Sequence, residues 1–298
     1  MAWRLHLANQ AIQRLDILDN LLAIWKKPNQ LTYYDLHTGV LQHEQTLSPP
    51  KVESWQDDAW QIFLAEFTAP NKLYLPTLTL DHQTVYLSED GLLRLYQDDT
   101  LQLENDGQYH HLDVADPIAV GLDRFLGLVA VIDTERKLHI FQQQIKIGVF
   151  DLPFTQAEYF RPMLTVANGG TAIYVTDGQQ IALIDSSGKV KKQIKTYYDI
   201  RHMTCSPDGN HLITSDMDSG VIRLYQGHDL TLTHQRFAID LVAEATQVQL
   251  MADMPPIFVA LSALTIDNHA NIAFSMSGVI CVTDLSHLDQ LPRPQVLL

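Results

Sequence analysis

Only two cysteines, Cys205 and Cys281, occur in the 298 residues, and they match neither a metal-finger spacing nor a disulfide framework. Each sits in or beside an apolar strand-like run, where a thiol serves as a small core side chain, so a reducing, cytoplasmic setting is expected. Basic residues are scarce: 20 Lys and Arg face 35 Asp and Glu, a formal charge of −15. A field of that sign repels phosphate backbones and argues against direct nucleic-acid binding or an anionic membrane surface. It favours protein partners with a basic surface. No apolar stretch approaches the ~20 residues of a membrane helix, and the start, MAWRLHLANQ, has neither the basic opening nor the apolar run of a signal peptide. Also missing are a serine nucleophile elbow, HExxH, a phosphate-binding glycine loop and a dinucleotide glycine pattern. The sequence therefore contains no catalytic constellation. No cofactor or metal is expected.

What the chain does contain is a faint repeat. Six times an apolar run leads through a tight polar turn into a second run of alternating apolar residues. The second runs are LTYYD from Leu31, LRLY from Leu93, LHIF from Leu138, IALID from Ile181, IRLY from Ile222 and ICVTD from Ile280. Alternation of period two marks a strand buried on one face, or one sandwiched between sheets. The turns ahead of them are Pro28-Asn29, Asp90-Gly91, Glu135-Arg136, Asp177-Gly178, Ser219-Gly220 and Ser277-Gly278, most of which carry the Gly or Asn that a hairpin with positive φ needs. A third strand-like segment follows each second run, as in VLQHEQTL from Val40, VKKQI from Val190 and LTLTH from Leu230. A further short strand precedes each hairpin, clearest where HMTC runs into Ser206-Pro207-Asp208-Gly209.

Four antiparallel strands per unit make the blade of a β-propeller. The three middle intervals between anchors match the ~40–45 residues of one blade, and the first and last are longer by about one short insertion. The expectation is an all-β chain: one propeller over residues 1–298, with six blades of four antiparallel strands and insertions at about 48–71 and 241–256. Seven blades is the alternative, if one long interval hides a degenerate unit. The last unit shows three strands before its tail. The N-terminal WRLHLA, with Trp3, Leu5 and Leu7 alternating, is expected to supply the fourth and close the ring.

Two segments carry a family likeness. AIYVTDGQQIALIDSSGKV (Ala172 to Val190) resembles the repeats of YVTN-type propellers, and CSPDGNHLITSDMDSGVIRLY (Cys205 to Tyr225) resembles a WD-repeat or related blade. The other four units share only the pattern. Where a WD repeat ends its run in Trp-Asp, this chain has Tyr34-Asp35, Tyr96-Gln97, Phe141-Gln142, Ile184-Asp185, Tyr225-Gln226 and Thr283-Asp284. The buried hydrogen-bond network of WD blades therefore does not carry over. The resemblance implies a divergent propeller and, with the missing catalytic motifs, a non-catalytic protein–protein interaction platform: an adaptor or subunit of a larger cytoplasmic assembly. The alternative is a small-molecule or metal-dependent, lactonase-type propeller acting at a central channel. Asp199 and Asn168, near the starts of inner strands, are the residues that would have to converge there.

The insertions hold the candidate partner-binding residues. In DDAWQIFLAEFTAP, Trp60, Phe63, Leu64 and Phe67 fall at i, i+3, i+4 and i+7, one face of a helix, with Asp57 and Asp58 at its start and Pro70 near its stop. That stripe either packs down on the sheets or projects as a docking element. Trp55 lies just outside it and is the more exposed aromatic. LVAEATQVQLMADMPP is read as a short helix or long loop, with Met251 and Met254 as adaptable apolar contacts. Asp216-Met217-Asp218-Ser219-Gly220 resembles the opening of a calcium loop but lacks its later bidentate Glu and coincides with a recurrent turn. It is read as a turn.

These readings separate by mutation. Trp55→Ala is expected to weaken recovery of a partner while leaving the melting temperature within a degree or two. Ala at Trp60 or Phe63 is expected to destabilise the fold by about 3 kcal/mol if those residues pack inward. Unfolding curves and partner pull-downs of the three variants decide between docking and packing.

Overall fold

A computed structural model of the chain describes residues 3–6, 12–18, 20–26, 30–46, 78–80, 83–87, 93–97, 101–105, 108–115, 117–122, 128–142, 144–154, 162–167, 170–217, 219–246, 261–276 and 279–291. These form six sheets of consecutive antiparallel strands. After β1 (Trp3–His6) come β2 (Ile12–Leu18), β3 (Leu21–Lys26), β4 (Gln30–Asp35) and β5 (Leu41–Thr46) in one sheet. The second holds β6 (Leu78–Leu80), β7 (Gln83–Leu87), β8 (Leu93–Gln97) and β9 (Leu101–Asn105), with β10 (Gln108–Leu112) added as a fifth strand. The third is β11 (Pro117–Leu122), β12 (Leu128–Asp133), β13 (Lys137–Gln142) and β14 (Ile145–Asp151). The fourth is β15 (Met163–Val166), β16 (Ile173–Thr176), β17 (Gln180–Ile184) and β18 (Val190–Lys195).

The fifth sheet is β19 (Ile200–Cys205), β20 (His211–Asp216), β21 (Val221–Gln226) and β22 (Leu232–Phe237), and it runs directly into helix α1 (Ala238–Thr246). The sixth takes β23 (Leu261–Ile266), β24 (Ile272–Met276) and β25 (Val279–Thr283), and β26 (Asp289–Gln290) then returns to lie beside β22. Every anchor run of the repeat is the third strand of its sheet. Two sheets differ from the expected four strands, because β10 and β26 each cover an outer edge. Helix α1 runs into the segment expected as the second insertion, whose residues 247–256, like the whole of 48–71, lie outside the described residues.

Burial follows strand position. Second strands such as β12, β16 and β24 are buried throughout, and third strands such as β13 and β17 nearly so. Outer strands such as β14 and β18 are mostly exposed. A strand covered on both faces reads as a continuous apolar run, which is why LVAVI, IYV and IAF show little alternation.

The chain divides into two compact units. Unit 1 (Met1–Glu44, Gly178–Gln180 and Ile194–Leu298) holds the first, fifth and sixth sheets. In its core Ile24, Leu22 and Leu15 meet Ala273, Ile280 and Val282, while Ile213, Ile222 and Leu224 meet Phe274, Leu241 and Cys281. Burial pushes the Cys281 thiol up to about 12, so it serves as packing rather than chemistry. Unit 2 (Gln45–Asp177 and Ile181–Gln193) holds the other three sheets, with Ala130, Ile132 and Ile140 packed against Ile173, Val175 and Ala182. Each fully buried Leu or Ile contributes about 1.5–3 kcal/mol.

β1 completes the sixth sheet, pairing with β25 from Trp3↔Val282 to His6↔Val279. The N-terminal strand thus supplies the missing fourth strand. Trp3 also reaches the first sheet: its Nε1–H donates to the Leu36 carbonyl at 2.5 Å, and its ring lies against Gly39.

The turns reveal a device that the repeat pattern did not show. Two second strands end at a buried aspartate, Asp133 and Asp216, and a third, β16, is followed by buried Asp177. Asp133 Oδ1 accepts the Lys137 N–H at 2.9 Å while Oδ2 pairs with His139 Nε2 at 2.6 Å. Asp216 accepts from the Ser219 and Val221 N–H groups, and Arg223 Nη1 donates to its Oδ2 at 3.0 Å. The buried carboxylate replaces the missing backbone partners of the hairpin. At the preceding turn of the fifth sheet burial works to raise the Asp208 carboxyl, but hydrogen bonds from Ser206 and Asn210 outweigh it and hold it below the usual carboxylate range.

Two predictions follow from these contacts. Deleting residues 1–7 removes β1 and exposes the edge of β25, so a large fall in melting temperature and aggregation are expected; Trp3→Ala alone should cost about 2 kcal/mol. Gly178 and Gly220 occupy corresponding hairpins at φ 108° and 64°. Replacing either with Val should cost about 1 kcal/mol or more through left-handed strain, read as a shift in the denaturation midpoint. Gly91, the third glycine of this alignment, lies outside the described residues.

Candidate interaction surface

The segment between β18 and β19, Thr196-Tyr197-Tyr198-Asp199, is held on both sides. The Thr196 N–H donates to the Gln179 carbonyl at 2.8 Å, and its hydroxyl reaches the same oxygen at 2.7 Å. Gln179 Nε2 donates to Asp199 Oδ1 at 2.6 Å. The Ile200 N–H bonds the Gly178 carbonyl at 2.7 Å, and the Met217 N–H bonds the Asp199 carbonyl at 2.8 Å. A four-residue loop with this many bonds loses little further freedom when something docks on it.

Its two tyrosines part ways. The Tyr198 hydroxyl turns inward to meet Thr214 Oγ1 at 3.0 Å and the Tyr225 hydroxyl. Its ring carries the Arg223 guanidinium at 3.7 Å, and Arg223 in turn pairs with Asp216. Burial raises both phenols above the ordinary tyrosine range and keeps them neutral donors. Tyr197, by contrast, is 98% exposed. The inward tyrosine locks the loop that presents the outward one.

Met217 (41%) and Phe237 (49%) are exposed at the same end of the fifth sheet. The Ala238 N–H donates to the Gly220 carbonyl, which sets Phe237 beside the hairpin turn that carries Met217. A depression of about 180 Å³, lined by Val221, Arg223, Gln235, Arg236, Phe237 and Asp289, lies on the flank. It is smaller than the ~300–1,000 Å³ of ordinary small-molecule sites. Aromatic and methionine side chains on a rigid loop suit a macromolecular contact.

The residues singled out from the sequence as partner contacts, Trp55, Trp60, Phe63, Phe67, Met251 and Met254, all lie outside the described residues, as does Asn168. Asp199 is engaged by Gln179 at the loop. In the calcium-like stretch both oxygens of Asp216 face the hairpin and Arg223, so the segment is a turn. Among the described residues no three His, Cys, Asp or Glu side chains gather as a metal site, and no helix is long and apolar enough to cross a membrane. Tyr197, Met217 and Phe237 were not picked out by sequence reasoning. The signal was the adjacent tyrosine pair after the polar strand VKKQIK, but neither neighbour has a period that says which one faces outward.

No protein-family profile and no curated protein matches the chain. Solved structures do match its fold. The WD40 β-propeller domain of Doa1 superposes with a TM-score of 0.57 at 10% identity, over 95% of each chain. The computationally designed Ika8 protein gives 0.57 at 10% identity, over 94% of this chain and 98% of that one. With its meandering four- and five-stranded sheets and buried central strands, this chain has a β-propeller fold.

Proposed function

We propose that the chain is a non-catalytic protein–protein interaction platform, an adaptor or subunit of a larger cytoplasmic assembly. The reading takes the six sheets as the six blades of one propeller over residues 1–298, with the insertions at about 48–71 and 241–256 as appended elements. The observation that carries it is Tyr197, a fully exposed aromatic on a loop fixed by hydrogen bonds, with Met217 and Phe237 also exposed at that end of the fifth sheet. Exposed aromatics that are pre-ordered bind at low entropic cost, and such anchors are worth about 2 kcal/mol or more in an interface. The net charge of −15 supports partners with a basic surface and no direct nucleic-acid contact. A propeller fold hosts unrelated functions, so the argument rests on this surface and not on the likeness.

The test is recovery of partners from the native host with the tagged chain and with Tyr197→Ala and Met217→Ala. Both substitutions remove exposed atoms, so melting temperatures should stay within a degree or two while recovery of a stoichiometric partner falls at least ten-fold for Tyr197→Ala. Equal recovery by both variants would remove this surface from the reading. Turnover of a small substrate, or a stoichiometric divalent ion in the purified protein, would replace the platform with the lactonase-type alternative.

A further inference from the structure

β14 is the outer strand of the third sheet, and among the described residues no strand lies on its far side. Edge strands are normally protected by charge, by a bulge or by a cover. The same chain shows the cover twice, where β10 lies on β9 and β26 lies on β22. β18 shows the charge: VKKQIK is exposed along its length and carries lysines at 191, 192 and 195. β14 has no such cover among the described residues and less charge than β18, one lysine and a terminal aspartate. Its sequence IKIGVFD exposes Ile145 (66%), Ile147 (45%) and Val149 (46%), three of the ten large apolar side chains exposed among the described residues. Its one lysine, Lys146, is exposed, but its ammonium is held to one place, with Nζ donating to the Asp113 carbonyl at 3.0 Å and lying 5.7 Å over the Phe141 ring. A bulge interrupts pairing to β13 near Ile147, but regular pairing resumes from Gly148↔Ile140 to Asp151↔Lys137. That leaves a mainly apolar edge, regular from Gly148 to Asp151, with no strand beside it among the described residues.

The surroundings of this edge are basic. Phe150 of β14 packs so tightly on Gly188 that a Cβ there would meet its ring at 2.2 Å, and Gln193 Nε2 of β18 donates to the Pro153 carbonyl at 3.0 Å. These contacts bring the start of β18 alongside the end of β14, all within unit 2. Lys189, Lys191 and Lys192 are exposed there, with Lys191 paired to Asp185. With Asp151 paired to Lys137 and Asp185 to Lys191, Lys189 and Lys192 leave a local excess of positive charge in a chain of net charge −15.

We propose that β14 accepts a fifth strand from a partner protein: an extended segment that alternates apolar residues with carboxylates. Main-chain hydrogen bonds to the free edge would provide the docking, the apolar row would cover Ile147 and Val149, and the acidic row would meet the lysines. The proposal concerns unit 2 and stands apart from the Tyr197 surface. A second copy of the chain is the poorer occupant, since edge-to-edge pairing would set the same lysines and the same net charge against themselves.

The probe is a fluorescein-labelled ten-residue peptide of alternating valine and glutamate, titrated into the full chain at low salt and read by anisotropy. Its companions are the valine–lysine peptide and a valine–glutamate peptide interrupted by two prolines, which cannot add to a sheet edge. The expected result is saturable micromolar binding of the first peptide, at least ten-fold weaker binding of both companions, and slowed amide exchange over 145–151. Ile147→Lys with Val149→Lys should lose at least ten-fold, and Lys191→Glu with Lys192→Glu several-fold, with both melting as the parent does. Tyr197→Ala should bind the peptide unchanged, which separates this edge from the proposed platform surface. Absence of binding, equal binding of the proline-interrupted peptide, or indifference to Ile147→Lys with Val149→Lys overturns the proposal. A wild-type dimer in sedimentation that the same double variant abolishes would assign the edge to a second copy and also overturn it.

Discussion

The middle strands of these sheets are covered on both faces, and most other features answer to that constraint. A sheet with one wet face can alternate apolar and polar residues, but a strand sandwiched between neighbours has no dry-to-wet boundary along it. β12 and β16 are accordingly buried at every position. Many of the polar groups in this interior are small hydroxyls such as Thr176, Thr214 and Ser275, or carboxylates such as Asp133 and Asp216 placed where a hairpin leaves N–H groups without partners. Asp133 and Asp216 do this at the ends of second strands, so the polarity that the core excludes is gathered at the turns. A buried carboxylate without such donors would cost several kcal/mol.

The same constraint pushes solubility outward. Outer strands and loops carry nearly all the polarity, and their contrast with the core makes an exposed apolar residue informative. Tyr197 projects from a loop whose every flank is bonded, while its neighbour Tyr198 is drawn into a network with Thr214, Tyr225 and Arg223. Rigidity below and exposure above are two results of one hydrogen-bond arrangement. The β14 edge is a different case. There the exposed side chains belong to a regular strand, and the outer strands of two sister sheets in the same chain are already covered.

Much of the fold was legible because a propeller repeats. The six anchor runs from Leu31 to Ile280 are each the third strand of a sheet, and the hairpin glycines Gly178 and Gly220 have the positive φ that their turns require. WRLHLA was assigned to the last sheet because that sheet was one strand short, and β1 pairs there with β25. The fifth strands β10 and β26 were not foreseen. Each is short and polar, and its pairing is decided by where an outer edge stands open, which no local pattern encodes.

Composition, charge and period by themselves determined an acidic all-β chain of repeated hairpins, because strand alternation and turn chemistry act over a few residues and leave their mark in neighbouring letters. Tertiary structure alone decided which of two adjacent tyrosines is buried, which aspartates are capped inside the sheets and which outer strands have no further strand beside them among the described residues. Those outcomes depend on partners far away in the chain: Tyr198 on Tyr225, Trp3 on Leu36 and Phe150 on Gly188. A side chain whose surroundings come from 27 or more residues away carries no sign of them in its own neighbourhood.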